Sequence, residues 1–212
     1  VSFSRSLQGG DAIDGLTVPN ITAETLAQRG FDAASLSQYL RTGTSAQGTS
    51  FGSMYTVTHF STSAMQREDV DAIATYLMTD KQGKLLAAAP GPKALPIASD
   101  PLLQPGRLSY MSACAACHGV SGEGIPNVAP PMRGNTAVMM EDPNNLVTVI
   151  LHGVQTQTFA GNERMYAMPG FADRMSAADV AGLATWMRAQ WGAQAQPVTA
   201  EQVQKLIPKT YD

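Results

Sequence analysis

The sequence predicts an all-α protein made of two tandem helical domains, the first of which is incomplete at its N-terminus. Three observations predict this: apolar residues recur at helical spacing, two such segments are repeated later in the chain, and a proline-rich stretch separates the copies. We expect residues 1–80 to be the incomplete domain, 81–104 an extended linker, 105–192 a complete domain and 193–212 a tail.

Two amphipathic segments predict the helices of the first domain. Asp32 is suited to cap a helix that runs to about Gly43, because its side chain can accept a hydrogen bond from a free backbone N–H. A second helix is expected over residues 68–78. Its apolar face comprises Val70, Ile73, Ala74 and Leu77.

The second half of the chain predicts four helices. Pro105 opens the first, and Asp142-Pro143 begins the second. Ser176 and Asp179 resemble a capping box at the start of the third. A short fourth helix is expected over residues 200–206. Met111, Met132, Met175 and Met187 are interpreted as core residues.

An internal repeat relates the two halves. Residues 36–43 parallel 146–153, and residues 70–77 parallel 180–187, both at an offset of 110 residues. Pro19-Asn20-Ile21 matches Pro130-Pro131-Met132 with a shift of one residue. Residues 1–80 therefore have the pattern of a second copy of the 105–192 domain.

Residues 114–118 read Cys-Ala-Ala-Cys-His and contain the only two cysteines of the chain. This spacing is typical of c-type haem attachment, in which Cys114 and Cys117 form thioethers and His118 ligates the iron. The alternatives are a redox dithiol or half of a zinc site. A dithiol does not require His118, and only His59 and His152 remain as further histidines for zinc.

Met168 is the candidate for the sixth iron ligand. It lies in a loop, in Ala167-Met168-Pro169-Gly170, where proline and glycine stiffen and turn the chain. A thioether is soft and neutral, which favours ferrous iron. His59 and His152 are weaker alternatives, for which a surface or hydrogen-bonding role is expected.

Composition narrows the classes of function. Hydrophobic residues make up 44% of the chain, charged residues 15%, and the net charge is −3. There is no basic patch for nucleic acid and no apolar stretch of membrane-spanning length. Haem attachment requires reduced thiols and export-side machinery, so a bacterial periplasm is the expected compartment.

Several motifs resemble a class I cytochrome c domain, and more narrowly the cytochrome c subunits of membrane-bound dehydrogenases of acetic acid bacteria and their relatives. The matching motifs are Gly106-Arg107-Leu108-Ser109-Tyr110, Cys117-His118-Gly119, Ala129-Pro130-Pro131-Met132-Arg133-Gly134-Asn135, Leu151-His152-Gly153 and Tyr166-Ala167-Met168-Pro169-Gly170-Phe171. The resemblance implies that the carbonyl of Pro130 accepts the His118 N–H, that Met132 packs on the ring, and that Trp186 packs near Tyr110 and Gly106.

The same resemblance implies a function and partners. The chain would accept electrons from a catalytic dehydrogenase subunit and pass them to ubiquinone at the periplasmic surface of the cytoplasmic membrane, while substrate oxidation takes place in the partner. Two alternatives remain: a haem enzyme, such as a c-type peroxidase with a displaceable Met168, and a sensor or structural module. A low-spin spectrum with a sulfur-to-iron band would indicate the carrier, and a high-spin ferric spectrum the enzyme.

Met54 lies between the two repeated blocks of the first domain, but no Cys-x-x-Cys-His precedes Pro19. Either this copy has lost its haem, or its attachment segment lies upstream of residue 1. The resemblance favours the second explanation, because Gly9-Gly10 and Pro19-Asn20-Ile21 match the middle domain of three-haem subunits. Met54 is then expected to be the distal ligand of a second haem.

Overall fold

The computed structural model describes residues 7–10 and 12–207, which divide into two units. The first unit contains the chain up to residue 91 and also residues 158–164, and the second contains 92–157 and the chain from 165 onward. Helices predominate in both, and each strand is two residues long. Over the described residues, no helix has the length and apolar character needed to cross a membrane.

The first unit is built around two helices that pack on each other. Asp32 and Ser35 form a capping box at the start of the first of these, which confirms the predicted cap, and Gly43 ends it with φ 76°. Its core contains Leu26, Phe31, Leu36, Leu40, Val70, Ala74 and Met78. The elements are β1 (Ala12–Ile13), β2 (Leu16–Thr17), α1 (Ala23–Gln28), α2 (Ala33–Thr42), β3 (Thr44–Ser45), β4 (Gly48–Thr49), α3 (Ser53–Phe60) and α4 (Arg67–Leu77).

Residues 158–164 complete the first unit. The ring of Phe159 is buried and meets that of Tyr55 edge-on, with 5.6 Å between centroids. The Phe159 ring also explains why residue 43 is a glycine, because a Cβ on Gly43 would lie 2.7 Å from Phe159 Cδ1. The sequence repeat did not indicate this contact, since the segment comes from the far half of the chain.

The second unit contains the remaining helices. The predicted capping box of Ser176 and Asp179 is confirmed at the start of the longest one, and the short terminal helix is confirmed after Thr199. The unit's elements are α5 (Gln104–Ala113), α6 (Ala115–His118), α7 (Thr136–Met139), α8 (Asn144–His152), α9 (Ala177–Trp191) and α10 (Ala200–Gln204). Two further strands, β5 (Gln157–Thr158) and β6 (Arg164–Met165), each contain one residue of either unit.

Helices α5 and α9 cross at two glycines. A Cβ on Gly106 would lie 2.7 Å from the carbonyl carbon of Gly182, so only glycine permits this approach. The ring centroids of Tyr110 and Trp186 are 5.3 Å apart, and those of Tyr110 and Trp191 are 4.8 Å apart. The expected packing of Trp186 near Gly106 and Tyr110 is therefore confirmed.

Two expectations about this unit are wrong. Met111 is 39% exposed rather than part of the core, because α5 faces α9 through Gly106 and Tyr110 and leaves the next position on its outer side. The expected extended linker contains 3₁₀ turns at Pro96–Ser99 and Pro101–Leu103. Asp100 caps the second of these turns by accepting from the N–H of Leu102.

Arg188 is buried in the second unit. Its Nη1 donates to the carbonyl of Gln196 at 2.8 Å, and its Nη2 donates to those of Glu141 at 2.6 Å and Met140 at 3.2 Å. Burial lowers the pKa of this guanidinium, and the nearby carboxylates of Asp142 and Glu141 act in the opposite direction. The side chain thus joins the segment before α8 to the tail that follows α9.

Candidate haem-attachment site

The two thiols of the site lie on one helical turn. Cys114 ends α5, and Cys117 and His118 donate their backbone N–H groups to its carbonyl at 3.1 and 2.9 Å. Residues three apart on a helical turn lie on the same face, so the spacing places the two cysteines on one side of this turn. Both thiols are free, with Cys114 buried and Cys117 exposed. Burial, followed by the charge of Cys117, raises the pKa of the Cys114 thiol to about 11.

His118 is oriented by a backbone carbonyl. Its Nδ1 lies 2.9 Å from the oxygen of Pro130. Since a carbonyl only accepts, Nδ1 carries the proton and donates, which leaves the lone pair of Nε2 for a metal ion. Burial lowers the pKa of His118, and the bond to Pro130 opposes this shift. Burial thus favours the neutral imidazole, and the bond to Pro130 selects the tautomer that a metal ligand requires.

A compact loop joins His118 to Pro130. The carbonyl of His118 accepts from the N–H of Gly124 at 2.8 Å, and Met132 donates to Gly122 at 2.8 Å. A Cβ on Gly122 would lie 2.7 Å from the Trp191 ring, so α9 packs directly on this loop. Sequence reasoning missed Gly122, and the close spacing of Gly119, Gly122 and Gly124 was the available signal.

Met168 is fixed through its backbone in the same unit. Its N–H donates to the carbonyl of Val154 at 2.8 Å, and the N–H of Val154 donates back at 3.0 Å. The neighbouring Tyr166 donates to the carbonyl of Val128, in the loop that carries Pro130, at 3.0 Å. The side chain of Met168 is partly buried against the core cluster that includes Cys114.

The remaining candidates lie elsewhere. Met54 belongs to the first unit, near the start of α3, and packs partly buried against that unit's own core. His59 stacks on Tyr55 with 5.1 Å between centroids. The Nε2 of His152 lies 3.0 Å from the carbonyl of Leu206. The structure thus brings together Cys114, Cys117, His118 and Pro130, and holds Met168 in the same unit.

The donor set fits a covalently attached haem. The two free thiols on one turn match the two thioether bonds that attach a c-type haem. The adjacent imidazole of His118 has its Nε2 available for the iron. A redox dithiol formed by the two cysteines would not require the hydrogen bond between His118 and Pro130. This bond is the kind of outer contact that fixes the orientation of a metal-ligating histidine.

Comparison with known proteins gives the same result. The family described as Cytochrome c matches residues 103–191. The cytochrome c subunit of alcohol dehydrogenase (quinone) from Gluconacetobacter polyoxogenes is 30% identical over 207 residues, which cover 94% of this chain and 44% of that protein. Cytochrome c-552 of Thermus thermophilus is 30% identical over 117 residues, covering 51% of this chain and 78% of that protein.

A further relative extends the likeness to another dehydrogenase. The gluconate 2-dehydrogenase cytochrome c subunit of Pantoea cypripedii is 29% identical over 213 residues, covering 94% of this chain and 47% of that protein. The chain therefore spans about half the length of the dehydrogenase subunits that it matches. The resemblance drawn from the sequence motifs is confirmed.

Proposed function

Because the chain belongs to the cytochrome c family and a domain of that family carries covalent haem c, we propose that it is the electron-transfer subunit of a quinone-reducing dehydrogenase. The observation that carries this proposal is the hydrogen bond between His118 and Pro130 beside the paired thiols. Cys114 and Cys117 would attach the haem, and His118 and Met168 would hold its iron.

The chain's own residues set the properties of this site. Bound haem c supplies a one-electron couple between ferric and ferrous iron. The carbonyl of Pro130 fixes the His118 tautomer and makes its Nε2 a better donor. The sulfur of Met168 favours the reduced state, because it is soft and neutral. The buried side chains around Cys114 exclude water, which limits solvent reorganisation when charge moves.

Met54 is the proposed distal ligand of a second haem, bound by the first unit. The support is its position between the repeated blocks and its partial burial against the core of the first unit. Because the Met54 side chain already packs against this core, little rearrangement would bring its sulfur to a haem that completes the core.

The partner is a catalytic dehydrogenase subunit, in which the substrate is oxidised. Support comes from relatives named as cytochrome c subunits of alcohol and gluconate dehydrogenases. From this chain the electrons pass to ubiquinone at the periplasmic face of the cytoplasmic membrane. The purified chain is expected to exchange electrons with small mediators and to oxidise no alcohol or sugar by itself.

The experiment that tests the site compares Met168→Ala with Met175→Ala in the haem-loaded chain. Both methionines are partly buried against the same core, so both variants lose similar packing. Only Met168→Ala is expected to lose the sulfur-to-iron charge-transfer band and to lower the reduction potential. If Met168→Ala keeps the band, or if Met175→Ala loses it, the ligand assignment is wrong. A high-spin parent protein that turns over peroxide would favour the enzyme alternative.

A further inference from the structure

Two loops of the second unit carry groups that act on the proposed iron ligands. The first, residues 125–130, ends at Pro130, whose carbonyl lies 2.9 Å from the Nδ1 of His118. The second, residues 166–171, contains Met168. The two loops are far apart in the sequence, and a backbone hydrogen bond joins them.

The first loop is a tight turn. The N–H groups of Val128 and Ala129 both donate to the carbonyl of Ile125 at 3.0 Å, and the N–H of Ile125 donates to the carbonyl of Ala129 at 3.0 Å. Asn127 takes a left-handed conformation, with φ 59°, which asparagine adopts more readily than most residues. The carbonyl of Val128 takes no part in these bonds and finds its partner outside the turn.

That partner is the backbone of Tyr166, whose N–H donates to the Val128 carbonyl at 3.0 Å. The side chain of Tyr166 is 58% exposed, so the contact depends on the main chain and not on the ring. Met168 follows two residues later, and two residues span at most about 7 Å. Its own N–H and carbonyl pair with Val154 at 2.8 and 3.0 Å. Met168 therefore lies between two backbone contacts, one of which leads to the loop of Pro130.

We propose that the hydrogen bond from the Tyr166 N–H to the Val128 carbonyl, here named the clasp, couples the two sides of the iron site. It holds the loops of Pro130 and Met168 in one arrangement, so that release of the Met168 sulfur weakens the bond between Pro130 and His118. Coupling of this kind is reciprocal, so a weaker bond at His118 also eases the release of Met168.

This inference rests on the proposed function, in which His118 and Met168 hold the iron. It makes Val128 and Tyr166 positioning residues that act through Pro130 and Met168. The net contribution of a backbone hydrogen bond corresponds to a factor of about five in an equilibrium constant. Loss of the clasp is expected to have an effect of this size on each side of the site.

The first test measures the binding of imidazole to the haem-loaded chain, where it replaces the Met168 sulfur and removes the sulfur-to-iron band. Tyr166→Pro eliminates the donor N–H, and Met165 before it lies in a strand, the conformation that a following proline favours. Tyr166→Ala is the matched control, because it removes the same exposed side chain and keeps the N–H. We expect imidazole to bind about fivefold more tightly to Tyr166→Pro and equally tightly to Tyr166→Ala and the parent protein.

A second variant removes the same donor without a proline. An ester in place of the peptide bond between Met165 and Tyr166 eliminates the N–H and retains the tyrosine side chain. It is expected to match Tyr166→Pro, and it decides the question if Tyr166→Pro does not fold.

The second test reads the side of His118. In the reduced haem-loaded chain, NMR follows the exchange of the His118 Nδ1 proton with solvent, which the bond to Pro130 slows. We expect this exchange to be about fivefold faster in Tyr166→Pro than in Tyr166→Ala. A role confined to the Met168 loop would not change this rate. The amide of Leu183, a fully buried residue of α9, is the control for general loosening, and its exchange should not change.

Three results would overturn the proposal. They are equal imidazole affinities of Tyr166→Pro and Tyr166→Ala, an unchanged exchange rate at His118 in Tyr166→Pro, and an equal acceleration at Leu183. A parent protein without the sulfur-to-iron band would contradict Met168 as the proposed ligand, and the exchange at His118 would then decide the clasp by itself.

Discussion

The crossing of α5 and α9 predicts opposite effects for two glycine substitutions. In Gly106→Ala, the new Cβ would lie 2.7 Å from the carbonyl carbon of Gly182 and 3.0 Å from Trp186 Cβ. In Gly182→Ala, the new Cβ would meet no atom within 4 Å. The first substitution therefore forces two helix backbones apart, and the second does not.

The magnitudes follow from contact distances. Non-bonded carbons prefer about 3.5–4.0 Å, so the helices must separate by about 1 Å, which forfeits about a quarter to a half of the dispersion attraction across the gap. Overpacking of this kind costs about 3 kcal/mol when the obstacle is backbone. Replacing a helical glycine by alanine returns about 0.5–1 kcal/mol. We expect the free energy of unfolding to fall by about 2 kcal/mol in Gly106→Ala and to rise by about 0.5–1 kcal/mol in Gly182→Ala.

The assay is denaturant unfolding of the haem-loaded chain, followed by tryptophan fluorescence. Both tryptophans of the chain, Trp186 and Trp191, lie in the second unit, so the signal reports that unit alone. The reasoning is refuted if Gly106→Ala is as stable as the parent protein, or if Gly182→Ala is destabilised to a similar degree.

Three further predictions concern the haem site. Gly153→Ala places a Cβ against the Met168 carbonyl and 2.7 Å from the Gly170 nitrogen, so the sulfur-to-iron band should weaken. The control is Gly134→Ala, which also replaces a glycine with positive φ but places its Cβ where no atom lies within 4 Å. This control should leave the band unchanged. In the haem-free chain at pH 8, iodoacetamide should modify Cys117 well before Cys114. The reason is that raising the pKa of Cys114 from 9.0 to about 11 lowers its thiolate fraction about a hundredfold. Equal rates of modification at the two thiols would contradict the burial of Cys114. Burial lowers the pKa of His118 below 6.5, so in the haem-free chain the unfolded state binds more protons than the folded state. The stability that this group contributes above pH 6.5 should therefore be lost as the pH falls through the pKa of His118 in the folded state. His118→Gln should remove this part of the pH dependence of the denaturation midpoint.

The burial of Cys114 also has a consequence for assembly. A thiol that is buried and held protonated is a poor nucleophile toward a porphyrin vinyl group. Attachment of the haem is therefore expected before the second unit has closed around α5.

The sequence by itself determined the features that depend on neighbouring residues. The spacing of Cys114, Cys117 and His118 requires a single turn, and the capping residues Asp32 and Ser176 act on N–H groups three positions away. The repeat likewise identified α4 and α9 as equivalent helices. Each of these follows from local geometry, which a short stretch of chain specifies by itself.

The tertiary structure decided which partner each face meets. Periodicity placed Ile73 on the apolar face of α4, and Met111 was interpreted as a core residue, but both are exposed because the neighbouring helices pack elsewhere. Nothing in the sequence indicated that Arg188 would be buried, since its three carbonyl partners come from segments far apart in the chain. Helical spacing shows which residues share a face, whereas burial depends on what the rest of the chain brings against that face.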